Sequence, residues 1–148
     1  MCGPDTSNRP RGGALAALAS PASSPSLLHA DLAFHTPNMP SCATATHARL
    51  TPSATWGDAQ LSDLYVVVHS TGDLTRTARD CGYFCQFPLS STGVAAAHQD
   101  GYIELPLQKP LSLEVGNGGI IGRRVSVLAR ARSADDVVLA EGIVGFNF

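Results

Sequence analysis

From Leu27 onward, apolar and polar residues tend to alternate with a period of two. Ile103, Leu105 and Leu107 alternate with Tyr102, Glu104 and Pro106, and Leu111, Leu113 and Val115 with Ser112, Glu114 and Gly116. Val125, Val127 and Ala129 alternate in the same way with Arg124, Ser126 and Arg130. Residues two apart share one face of a strand, so each run predicts a short strand with one buried side. Earlier runs span His29–Phe34, Ala43–Leu50 and Leu61–His69, the last around the β-prone stretch Tyr65–Val68. Turn signals separate the runs at Asp100-Gly101, Lys109-Pro110, Gly116-Asn117-Gly118-Gly119 and Ser133–Asp136. Beyond a possible turn near the start of the chain, no run has the spacing of an amphipathic helix. The pattern predicts an all-β chain folded as an antiparallel sandwich or barrel.

The first residues have a different texture. Residues 1–26 are rich in Ala, Ser, Pro and Gly, and are expected to form a flexible tail before a domain spanning 27–148. Arg9 and Arg11 precede Ala14–Ala19, but that stretch is short and weakly apolar for a secretory leader, so secretion is not expected. Met1-Cys2-Gly3 is not a myristoylation start. The 148 residues suffice for one domain with a real core. A formal charge of −2 gives no basic footprint for nucleic acid, and no apolar run approaches a membrane span. Four Cys and five His could stock a metal site, which makes their placement the next question.

Several short motifs follow one another in a defined order. Tyr65-Val-Val-Val-His69 runs into Gly72-Asp73-Leu74, followed by Cys81-Gly82 and Pro88-Leu89-Ser90. Asp100-Gly101, Ile120-Ile121-Gly122-Arg123, Ala134-Asp135-Asp136 and Gly142-Ile143-Val144-Gly145 complete the series. In order and spacing this resembles the Cu,Zn superoxide dismutase family. There a His-x-His strand runs into Gly-Asp-Leu, with Pro-Leu-Ser, Ile-Ile-Gly-Arg and a terminal Gly-Val-Ile-Gly strand after it. The resemblance covers about residues 27–148 and implies the family's Greek-key β-barrel, with zinc and electrostatic loops cut short.

The same resemblance places non-ligands at most of the family's metal positions. Of the paired copper histidines, one falls on His69 and the other on Val67. The bridging histidine falls at or beside Cys85, and a further copper ligand falls near Leu128. The zinc loop is reduced to about Ser90–Gln99, with His98 in it, and the electrostatic loop to Val137–Ala140. The substrate-guiding arginine falls on Val138, and the disulfide partner of Cys81 on Glu141. Dismutation needs a redox ion held by several converging imidazoles and a focused positive field, so the resemblance implies an inactive relative without cofactor. The alternative is a residual copper or zinc site made of His69, Cys85 and Cys81, giving a metalloprotein with residual activity. Against it, Cys81 and Cys85 lack C-x2-C spacing, and a hydrogen-bonded strand-end His69 with two inert thiols is the plainer reading. Pairing of Cys81 with Cys42 or Cys85 stays open at this point.

Arg123, Arg124, Arg130 and Arg132 cluster around one strand and read as a solvated face. The family's dimer surface falls near Ile120, Ile121, Ile143 and Phe146, which implies a homodimer or an analogous protein contact. Within the family the chain is most similar to the inactive dismutase-like virion proteins of poxviruses. Its Ala, Arg, Gly and Pro content suits a GC-rich genome, as in parapoxviruses. That similarity implies a place in the virion or host cytoplasm, and a partner such as the host copper chaperone for superoxide dismutase.

Overall fold

The period-two runs become strands, and no α-helix occurs among the described residues. The structure is a computed structural model that describes residues 12–21, 29–52, 64–76, 78–89, 102–116, 118–130 and 136–147. Its strands are β1 (Ala14–Ala19), β2 (His29–His35), β3 (Thr44–Pro52), β4 (Leu64–Val68) and β5 (Cys85–Pro88). They are followed by β6 (Ile103–Val115), β7 (Gly119–Ile121), β8 (Arg124–Ala129) and β9 (Val137–Phe146).

All nine lie in one sheet in the order β5-β4-β8-β9-β1-β2-β3-β6-β7. Every pairing is antiparallel except β6 with β7. The last strand lies beside the first, so that β9-β1-β2-β3 form one continuous antiparallel run. The sheet curls far enough for the turn after β7 to reach β9. There Gly122 N–H donates to Val144 O at 2.8 Å, and Val144 N–H donates to Arg123 O at 3.0 Å. The alternating residues Leu32, Phe34, Leu50, Val66, Val68, Val125, Val127 and Val144 fill the concave side. Each such side chain contributes about 1.5–3 kcal/mol when fully buried.

Two sequence expectations are corrected here. The tail expected over residues 1–26 contains β1, which lies in the middle of the sheet between β2 and β9. Its Ala14 and Ala16 are 0% exposed and Leu18 is 2% exposed, so small residues rather than large ones mark this strand as interior. Alanine has low strand propensity, and what holds β1 is pairing on both edges and burial of alternate side chains.

The second correction concerns Lys109-Pro110. It does not end a strand, since β6 runs unbroken from Ile103 to Val115. The β3–β6 register instead slips between Ala45 and His47, whose partners are Leu111 and Pro106. The prolines are accommodated at this bulge because there the ladder does not need every backbone N–H.

Candidate functional site

The uninterrupted Tyr65-Val-Val-Val run reflects burial on both faces of β4. Val66 and Val68 face the core, while Val67 on the opposite face is only 8% exposed. In register, Val67 lies opposite Ser126 of β8, which in turn lies opposite Glu141 of β9. One residue beyond β4, His69 N–H donates to Arg124 O at 2.8 Å and continues the ladder. Period-two geometry therefore places His69, Arg124, Ser126 and Glu141 on one face of the sheet. The segment between β4 and β5, which includes a short 3-10 helix at Ala78–Cys81, supplies groups that meet this face.

His69 is 4% exposed. Its Nδ1 lies 2.9 Å from Gly82 O and its Nε2 lies 2.9 Å from Ser126 Oγ. A carbonyl only accepts, so Nδ1 carries the ring proton and Nε2 accepts from the Ser126 hydroxyl. Burial lowers the imidazole pKa, and the nearby Arg124 cation works in the same direction, which favours this neutral tautomer. A serine hydroxyl on an imidazole nitrogen is the geometry of an activated nucleophile. Ser126, however, is 0% exposed and lies under the loop, so its hydroxyl is not presented to a substrate.

Cys81 is also buried, and its thiol donates to Asp73 O at 3.1 Å. Arg124, expected on a solvated face, is 3% exposed and occupies the centre of this region. Its Nη1 donates to Arg76 O at 2.6 Å, Asp73 O at 3.0 Å and Cys81 Sγ at 3.3 Å. Its Nη2 donates to Glu141 Oε2. Strand parity explains the correction: Arg124 shares the face of Ser126, and the segment folds over that face.

Of the other arginines, Arg130 is exposed and Arg132 lies outside the described residues. Arg123 donates to Ser70 O at 2.8 Å and Gly119 O at 2.6 Å while its guanidinium stacks 4.0 Å from the Phe84 ring centroid. The consecutive residues Arg123 and Arg124 thus both bond to the segment between β4 and β5, Arg123 at Ser70 O and Arg124 at Asp73 O and Arg76 O.

Cys85 is half-buried in β5 opposite Val68, and burial pushes its thiol pKa up. Cys42, Cys81 and Cys85 are free thiols, so none of the pairings left open by the sequence is formed among them. No group of three His, Cys, Asp or Glu side chains converges in a metal-holding arrangement among the described residues. His98 lies outside them.

The residues present do not fit a copper and zinc centre of the kind the dismutases carry, nor the residual site weighed at His69, Cys81 and Cys85. Both nitrogens of His69 are engaged by Gly82 and Ser126, the Cys81 thiol donates to a carbonyl, and Val67 and Leu128 have no donor atom. No protein-family model and no curated protein matches the chain.

The expected contact patch divides. Ile120 is 0% exposed and belongs to the core, which corrects its placement on a surface. Ile121 and Ile143 are half-buried, and Phe146 is 49% exposed.

Sequence reading missed Arg124, Ser126 and Glu141 as a buried polar group. The available signal was their spacing, since Arg124 and Ser126 alternate with the core valines of β8. A second polar cluster on the outer face was also missed. There Glu104 accepts from His35 Nε2 at 2.8 Å and Arg49 Nε at 2.9 Å. Burial lowers the His35 pKa. Glu104, although burial works against it, is held below its ordinary range by the hydrogen bonds from Arg49 and His35. No helix is long and apolar enough to cross a membrane among the described residues.

Proposed function

We propose that this chain is a catalytically inactive relative of the Cu,Zn superoxide dismutases that acts by binding a protein partner. The ordered motif series from Gly72-Asp73-Leu74 to Gly142-Ile143-Val144-Gly145 supports the relationship. The observation that carries the inactive reading is His69, whose two ring nitrogens join the covering segment at Gly82 to the sheet at Ser126. An imidazole used in this way positions backbone rather than an ion.

On this reading the partner is a second copy, a virion component or the host copper chaperone for superoxide dismutase. The virion and the host cytoplasm are its places of action. Ile121, Ile143 and Phe146 retain exposed apolar surface for such a contact.

The test combines size-exclusion chromatography of the purified protein, alone and with a purified copper chaperone, with a superoxide-removal assay after copper loading. The reading expects dimer or complex formation that Ile143→Asp weakens, and no superoxide removal above that of free copper. A monomer that binds no chaperone, or cyanide-sensitive dismutation by the loaded protein, would overturn it.

A further inference from the structure

Among the described residues, the curled sheet leaves a seam between β5 and β6. β5 pairs with β4 alone, and β6 pairs with β3 and, toward its end, β7. Between β5 and β6 lies a groove of about 220 Å³ lined by Cys85, Phe87, Leu105, Leu107 and Leu111, with Lys109 among its lining residues. Phe87 and Leu105 are 9% and 3% exposed, so the floor of the groove is the barrel's own core.

Lys109 is the one charged side chain among the described residues that line it. It is exposed and has no hydrogen-bond or ion-pair partner among the described residues. An apolar slot with an exposed cation at its edge complements an amphiphile of opposite charge. An apolar cavity of about 150 Å³ accepts a benzene-sized guest, so this slot suits roughly eight or nine heavy atoms.

We propose that the β5–β6 seam binds a medium-chain carboxylate, with the alkyl chain against Phe87, Leu105, Leu107 and Leu111 and the carboxylate at Lys109. The exposed ammonium contributes modestly and selects for charge, while apolar burial in the slot supplies most of the affinity. The site shares no ligand with the Arg124 cluster, so it stands or falls separately from the proposed function.

Cys85 in the wall of the slot is a built-in reporter, and Cys42, away from it, is an internal control. The rate of alkylation by iodoacetamide at each thiol is followed by peptide mass spectrometry with octanoate, octylammonium or octanol added. Octanoate at ten times its dissociation constant is expected to slow Cys85 about tenfold and leave Cys42 unchanged. Lys109→Glu, a surface change that leaves the core intact, is expected to weaken octanoate about two- to fivefold and to favour octylammonium. Equal protection by all three compounds would overturn the assignment of a carboxylate. Absence of protection at Cys85 would overturn the site.

Discussion

Arg124 and Glu141 form a buried ion pair across β8 and β9, with side chains 3% and 13% exposed. Resemblance to the dismutases places at Glu141 the cysteine that would pair with Cys81. Here the guanidinium of Arg124 spans that distance instead, donating to the Cys81 thiol at 3.3 Å and to the Glu141 carboxylate. The same group holds two carbonyls of the segment, Asp73 O and Arg76 O. A polar clamp thus connects the segment to the last strand.

The clamp makes Glu141 more important than a surface carboxylate. Glu141→Leu leaves a cation buried without its counter-ion, which costs about 3–5 kcal/mol. Replacing both groups, Arg124→Met with Glu141→Leu, is expected to recover most of that loss because an apolar pair has no charge to desolvate. Urea unfolding of the two variants checks the order. A double variant less stable than Glu141→Leu would reject the clamp.

Ser126 is expected to matter through His69. Ser126→Ala removes the hydroxyl that donates to Nε2 and leaves a buried acceptor unsatisfied, at a cost of about 1–3 kcal/mol. Ser126→Thr keeps the donor but adds a methyl to a packed site, so it tests volume separately from hydrogen bonding. Chemical denaturation of the pair distinguishes the two effects.

Acid should weaken the fold through both buried imidazoles. The folded-state pKa values of His69 and His35 lie below the ordinary 6.5. The unfolded chain therefore takes up these protons first, and stability falls as pH drops below 6.5 toward the lower folded values. About one unit above 6.5 both rings are essentially neutral in either state and the dependence fades. Thermal unfolding between about pH 7.5 and 5 measures this slope. His69→Gln with His35→Gln is expected to flatten it.

The strand character of the chain was legible because most core positions carry large residues at period two, as in Ile103-Leu105 and Val125-Val127. β1 escaped notice because its inward residues are Ala14, Ala16 and Leu18, which look like low-complexity sequence until two neighbouring strands are seen to flank them. The sequence of β6 predicts two strands because Pro110 signals a turn locally, while the bulge that admits it depends on β3, far away in sequence. At the site, His69 stands out through the resemblance, in the run Tyr65–His69 before Gly72-Asp73-Leu74, but its environment does not. That environment comes from Gly82, Ser126 and Arg124, brought together by pairing and loop packing that no local spacing encodes. Arg124 differs from expectation for the same reason, since a strand position next to Arg123 looks solvated until the segment between β4 and β5 covers it.

The place of β1 inside the sheet has its own test. A Cβ added to Gly142 would stand 2.2 Å from Ala17 O, so β9 and β1 approach too closely for a side chain there. Gly142→Ala is expected to destabilise by about 1–3 kcal/mol, and deletion of residues 1–21 to abolish cooperative unfolding. Calorimetry checks both. An unchanged melting transition after the deletion would return these residues to the role of a tail.

On the proposed reading, His69 and Cys81 serve the fold and hold no metal. Copper and zinc content, measured on protein produced with both metals supplied in excess and then dialysed against a weak chelator, tests this. Trace metal only is expected, with the same trace in His69→Gln and Cys81→Ser. One equivalent of copper or zinc per chain, lost in either variant, would contradict it.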